Sequence, residues 1–361
     1  MQQKRKSIFH RMVHAFLPET SIPLMLKGLI FSAGLAACKE KKDGPAAAKV
    51  TIEQGKMVLI CHEGNFRMGN AAAGLLNLGT GQWDENAFKT FTGRALGDVC
   101  QSATLWNGAW WIVVNNSGKI EILKKENFAP VKTIEGITSP RFLLPVSETK
   151  GYLTDLYANK LWIVDGQAMA IAGSVAFPGW GEELLQAGGK VWVVNRRKNK
   201  LFGLNPVSDT WQDSVAFPGN LSSIAPASQG RIWVGFEGNT GSAAGISLFN
   251  PNTLSKENTW LSNQTTMPFA FQSSASGDSL FFIQNQVMML KTEDSGWPVA
   301  DVLEGKTGNF YGLGYDGRRR QLWASDARDY QQKSKVYKKD LLSGTIQEQA
   351  GGIISSRFYF W

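Results

Sequence analysis

With 361 residues, 43% of them hydrophobic and 13 of them tryptophan, the chain has ample apolar material for one large core. Its formal charge of +8 is inflated by the first 37 residues, which hold five of the 38 Lys and Arg and one of the 30 acidic residues; the remaining 33 against 29 leave no basic footprint for nucleic acid. Beyond residue 37 no apolar run is long enough to span a bilayer, and His62 is the one histidine left, too few for a histidine metal cluster.

At the start, Lys4, Arg5, Lys6, Arg11 and Lys27 precede the apolar run Leu29–Ala37, which ends in the small-residue sequence LAAC at Leu35–Cys38. This resembles a bacterial lipoprotein signal, cut before a cysteine that then carries the acyl chains. Residues 1–37 are therefore expected to be a signal peptide and Cys38 a lipidated anchor that holds the chain on a membrane without spanning it. Lys39 follows, where in related export systems an aspartate would mark retention at the inner membrane, so an outer-membrane location is expected. Residues 38–54, rich in Lys and Ala with Gly44-Pro45, read as a flexible tether.

From residue 55 a unit repeats. In GDVCQSATLWNGAWWIVVNNSGKIEI, at Gly97–Ile122, three short strands are separated by Asn107-Gly108 and Ser117-Gly118, whose residues supply the positive φ angles of tight turns. Val131–Ile134 is the fourth strand. The third residue of the second strand recurs as Ile112, Tyr152, Trp192, Trp233, Phe282 and Trp323, at spacings of 40, 40, 41, 49 and 41, with a first copy at Leu59, 53 residues earlier. Four strands every forty residues indicate propeller blades, because one such sheet cannot bury both its faces and must stack on neighbours. The expectation is an all-β, seven-bladed β-propeller over residues 55–361. The first copy lacks an inner strand and the C-terminal Ile354–Tyr359 has no copy of its own, so the C-terminal strand is expected to close the first blade. Cys61 and Cys100 fall near the same end of adjacent copies, which leaves open a disulfide or two buried thiols.

Loops between blades and between second and third strands share one face around the central funnel. That face collects His62, Glu63, Asn65 and Phe66; Asp98 and Gln101; Asn115 and Asn116; Arg141; Asp155; Trp180; Asn195 and Arg196; Phe236; Phe269; Tyr311; Asp326 and Tyr330. Aromatic planes mixed with amides and a few charges suit a large, flat, amide-bearing ligand. Asn115, Asp155, Asn195 and Asp326 occupy one register in four copies and are expected to converge on it, with Arg141 and Arg196 as cations for a phosphate.

HEGNF at His62–Phe66, GRALGDVCQS at Gly93–Ser102, VVNNSGKIEI at Val113–Ile122, TSPRF at Thr138–Phe142, YLTDLYANKLWIVD at Tyr152–Asp165, FYGLGYD at Phe310–Asp316 and ASDARDYQQKSKVY at Ala324–Tyr337 resemble the signature stretches of YncE-like propeller lipoproteins of the BtuG type. The resemblance implies a cell-surface protein, not an enzyme and without a cofactor, that binds cobalamin (vitamin B12) or a related corrinoid and hands it to a TonB-dependent outer-membrane transporter. His62 and Cys100 stand where that family has asparagine and alanine, and Lys333 follows DYQQ where a small or apolar residue is usual. Alternative readings are a glycan-binding surface lipoprotein, which would pair stacked aromatics with carboxylates, and a propeller that docks a transporter without any small ligand.

Catalytic motifs are weak. No GxSxG elbow accompanies the lone histidine, so a serine triad has no framework. Gly312–Gly317 spells G-x-G-x-x-G, but between two strands, with no helix to receive a pyrophosphate. Arg318–Arg320 follow in a hairpin expected on the opposite face.

Overall fold

Leu59, Ile112, Tyr152, Trp192, Trp233, Phe282 and Trp323, the residues that mark the repeat, are each 0% exposed. A buried aromatic removes roughly 150–250 Å² from water, so these positions anchor every sheet. The computed structural model describes residues 49–361. The expected signal peptide, Cys38 and most of the expected tether lie outside the described residues.

The chain builds antiparallel sheets in order. β1 (Met57–His62), β2 (Ala72–Asn77) and the short β3 (Trp83–Asp84) come first, then helix α1 (Ala87–Thr92). Asn86 caps α1 by accepting from Lys89 N, and Gly93 ends it at φ 75°. This helix accounts for the long first spacing of the repeat. The first four-stranded sheet is β4 (Cys100–Trp106), β5 (Ala109–Val114), β6 (Lys119–Lys124) and β7 (Pro130–Ile134). The second is β8 (Pro140–Pro145), β9 (Lys150–Asp155), β10 (Lys160–Asp165) and β11 (Ala170–Ala176). The third is β12 (Gly181–Ala187), β13 (Lys190–Asn195), β14 (Lys200–Asn205) and β15 (Thr210–Ala216). The fourth is β16 (Leu221–Pro226), β17 (Ile232–Phe236), β18 (Gly245–Asn250) and β19 (Ser255–Leu261). A three-stranded sheet follows, of β20 (Phe269–Ser273), β21 (Ser279–Gln284) and β22 (Gln286–Lys291), with an isolated bridge Met288–Asp301 where an outer strand would lie. The last strands are β23 (Phe310–Asp316), β24 (Gln321–Asp326), β25 (Lys333–Asp340), β26 (Ile346–Ile353) and β27 (Ser355–Phe360).

Here the expectation of a seven-bladed ring closed by the C-terminal strand is corrected. Five sheets stand apart, and the remaining strands form one curled eight-stranded sheet in the order β26-β25-β24-β23-β27-β1-β2-β3. In it β27 runs antiparallel to β1, from Val58↔Phe360 to His62↔Ser355, and meets β23 in a parallel pairing at Leu313↔Arg357. The ladder continues where a gap between blades was expected because β23 carries glycine at the contact. A Cβ on Gly312 would sit 2.5 Å from Ser356 O, and one on Gly314 would sit 2.5 Å from Phe358 Cβ. The first two glycines of the G-x-G-x-x-G string are thus explained by strand approach. Among its followers, Arg319 pairs with Asp316 (2.7 Å) and donates to Gly55 O, in a turn.

Cys61 and Cys100 are free, fully buried thiols in one apolar cluster with Phe88, Trp110 and Trp361. No helix among the described residues is long and apolar enough to cross a membrane.

Candidate functional site at the channel mouth

The innermost strands pack in chain order, β4 against β8, β8 against β12, β12 against β16, β16 against β20, β20 against β23, with β27 beside β4. Each slips in register at its first residues: between Cys100 and Ser102, Pro140 and Leu143, Gly181 and Leu184, Leu221 and Ile224, Phe269 and Gln272, Phe310 and Gly312, and at Ser356 opposite Cys61 and His62. Such bulges re-aim side chains. Here the residues left out of the ladders include Gln101, Arg141, Glu182, Ser222, Tyr311 and Ser356.

Contacts across the sheets define the mouth. Arg141 is 8% exposed; its Nε donates to Glu182 Oε2 (2.8 Å) and its Nη1 to Gln101 Oε1, which joins three sheets. One step deeper, Arg357 Nη2 donates to Glu183 Oε1 (2.9 Å) and its guanidinium lies 4.6 Å from the Phe142 ring centre. Since the sheets of β27 and β12 are not neighbours, this pair crosses the channel. Glu183 Oε2 also accepts from Ile224 N (3.0 Å).

A second cluster adjoins the first. Tyr311 OH donates to Glu63 Oε2 (2.9 Å), Tyr311 and Tyr330 meet edge to face at 5.9 Å, and Asn65 Nδ2 donates to Tyr330 O (2.6 Å). Burial pushes the Glu63 carboxyl above the usual range, against the opposing pull of Tyr311, Arg141 and Arg357. At the rim, Tyr157 and Trp180 are edge to face at 5.9 Å, and Arg197 lies 5.6 Å from the Trp180 ring centre. Arg196 donates to Met267 Sδ (3.3 Å); burial lowers its pKa while Glu182 and Glu237 act to raise it.

The structure thus gathers Glu63, Asn65, Gln101, Arg141, Trp180, Arg196, Tyr311 and Tyr330 near the mouth. Phe66 is half-buried in the loop after β1, with Arg67 over its ring. Asp98 Oδ2 holds that loop by accepting from Arg67 N (2.7 Å) and from Asn116 Nδ2 (2.6 Å).

Other expected residues have different work. The four polar residues of one register spend their polar atoms on turns and strand starts. Asn115 donates to Ser139 Oγ and Pro140 O (both 2.9 Å), and Asn195 donates to Gly179 O (2.6 Å) while accepting from Lys198 N (2.8 Å). Asp155 accepts from Ser139 N, Tyr157 N, Ala158 N and Trp162 Nε1 (2.9–3.1 Å), and Asp326 from Asn309 N and Arg328 N (2.8 Å each). Phe236 is 0% exposed within the core, and Phe269 packs against another apolar cluster. His62, 1% exposed, has Nδ1 2.9 Å from Ser355 Oγ and 3.3 Å from Gly352 N, with its ring edge-on to Trp83. Burial lowers its pKa to about 3, so it is a neutral element of the sheet seam. Arg141, expected as a phosphate cation, is already paired.

Phe142, Glu183 and Arg357 are absent from the face read off the sequence, because the bulges break the alternation used to sort faces. The available signal is charge: Arg141, Glu182, Glu183 and Arg357 each sit within three residues of an inner-strand start.

This architecture of radial antiparallel sheets around a polar channel is that of the β-propeller class. The family model described as "Domain of unknown function (DUF5074)" matches residues 56–353, and the chain belongs to that family. No curated protein matches the sequence. Among solved structures, the chain is similar to a quinoprotein alcohol dehydrogenase-like protein from Bacteroides thetaiotaomicron (TM-score 0.66, 11% identity, 85% of this chain and 78% of that one). It is also similar to the dihydro-heme d1 dehydrogenase NirN (0.59, 8%, 87% and 77%) and to a functionally unknown protein from Desulfotomaculum acetoxidans (0.60, 12%, 84% and 98%). These likenesses concern the fold alone. Enzymes and a protein of unknown function share it, so the activity of this chain has to be argued from its own site.

Proposed function

We propose that the protein is a lipid-anchored outer-membrane protein, held at Cys38, that binds cobalamin or a related corrinoid at the channel mouth and passes it to a TonB-dependent transporter. The motifs between His62 and Tyr337 that resemble BtuG-type lipoproteins support the ligand. The single structural observation that supports binding is the cross-sheet assembly Gln101–Arg141–Glu182, buried donors and acceptors at a mouth that also holds the aromatic pairs Tyr157–Trp180 and Tyr311–Tyr330. A ligand spread over several sheets would collect hydrogen bonds from each.

Isothermal titration with cyanocobalamin tests the reading. Saturable heat is expected, weakened by Tyr311→Phe and Tyr157→Ala by about five- to 150-fold each, the equivalent of about 1–3 kcal/mol. No heat at micromolar protein refutes the corrinoid assignment. The anchor is tested separately: Cys38→Ala is expected to release the protein from the membrane fraction, and retention there refutes it.

One observation favours a glycan as second reading. The amides Asn115 and Asn195 are consumed by turns, whereas the rim keeps the aromatic pair Tyr157–Trp180, with Tyr157 41% exposed, the kind of surface on which sugars stack. Titration with neutral oligosaccharides decides between the two ligands.

A further inference from the structure

Glu182 and Glu183 are consecutive on β12, and each takes a different arginine. Glu182 engages Arg141 with side-chain exposures of 8% and 10%, while Glu183 engages Arg357 across the channel. Guanidinium groups in a desolvated pocket are the strongest anchors a protein has for a carboxylate or phosphate, provided the fork is open. Here both are occupied from within. Of the other arginines, Arg196 donates to Met267 Sδ (3.3 Å) and Arg197 lies over the Trp180 ring at the rim. The two arginines beneath the rim, Arg141 and Arg357, therefore each hold a carboxylate, and a third acid, Glu63, is held by Tyr311 in a site where burial disfavours its charge.

We infer that the mouth selects an uncharged, acceptor-rich ligand such as a carboxamide or polyol, and that Glu182 and Glu183 set this selectivity by filling the guanidinium forks an anion would need. An incoming anion would have to expel a carboxylate already at hydrogen-bonding distance, leaving that charge buried and unpaired. A carbonyl or hydroxyl oxygen has no such conflict, since Arg141 has five N–H donors and shows two hydrogen-bonded contacts, to Glu182 and Gln101. The inference rests on the proposed function only for the location of the ligand.

The test uses the full chain and inorganic sulfate as anion probe, titrated at constant ionic strength. Wild type is expected to give no saturable sulfate binding, whereas Glu182→Gln and Glu183→Gln, which keep size and one acceptor oxygen, each free a guanidinium. Each variant should give saturable sulfate binding about tenfold or more tighter than the weakest affinity the wild-type titration would have detected, about 1.4 kcal/mol or more. Thermal melts establish that the variants are folded. Saturable sulfate binding by wild type that Arg141→Lys weakens overturns the inference, whether or not any glutamine variant folds. Folded glutamine variants that remain silent to sulfate also overturn it. Failure of cyanocobalamin to bind bears on the corrinoid assignment alone.

Discussion

Gly312→Ala adds one methyl group where the sheet leaves no room. The new Cβ would lie 2.5 Å from Ser356 O, 2.7 Å from Ser356 C and 2.8 Å from Ser355 O, all backbone atoms of β27. Ordinary contact needs close to 1 Å more, and backbone in the middle of a ladder cannot swing aside as a side chain can. Overpacking of this kind costs about 1–3 kcal/mol, and the backbone obstruction places this site at the upper end. With an unfolding entropy of about 2.1 cal/mol/K per residue over about 300 residues, 3 kcal/mol lowers the melting temperature by about 5 °C. Differential scanning calorimetry measures the shift. Gly317→Ala is the control, because its nearest neighbours lie 3.6 and 3.8 Å away and its φ is not in the left-handed region. Equal melting of the two variants would refute the argument that glycine on β23 is what lets β27 join both neighbours.

His62, the one histidine among the described residues, has a folded pKa lowered from 6.5 to about 3. Stability from the neutral ring is complete above pH 6.5 and is lost as pH falls toward 3, at about 1.4 kcal/mol per pH unit; His62→Gln should flatten that part of a urea-midpoint-versus-pH curve, and an unchanged slope counts against burial as the cause. Asp155→Ala removes the acceptor for four hydrogen bonds and should cost about 3–5 kcal/mol of stability while leaving ligand affinity unchanged; a loss of affinity in the folded variant would return this residue to the binding surface. Arg357→Ala strands Glu183 and should destabilise by about 3–5 kcal/mol, with much of the loss recovered in Arg357→Ala with Glu183→Gln. Strict additivity in that double-mutant cycle would mean that the cross-channel pair is not coupled.

The β class, the repeat and its anchors are written in local chemistry. Alternating apolar residues, turn pairs such as Asn107-Gly108 and the aromatic at each second-strand centre act over a few residues, so they are legible without a fold. Much of the candidate site was legible as well: Glu63, Asn65, Gln101, Arg141, Trp180, Arg196, Tyr311 and Tyr330 stand at loop and strand-start positions that topology sends to one face.

What a residue does there was settled by partners distant in the chain. Asn115, Asp155, Asn195 and Asp326 look like ligand contacts in register, but the turns beside them use their polar atoms first, since a buried backbone N–H or C=O without a partner is costlier than a missing ligand bond. Phe142, Glu183 and Arg357 reach the channel because bulges shift the register, and a one-residue slip turns a side chain to the other face. The blade count failed for the same reason: two glycines let β27 bond to β23 as well as to β1, so seven copies in the sequence became five separate sheets and one continuous sheet of eight strands. Strand pairing across 40 or more residues depends on which backbones can approach, and that is decided by packing in three dimensions, where a missing Cβ matters only once its neighbour is known.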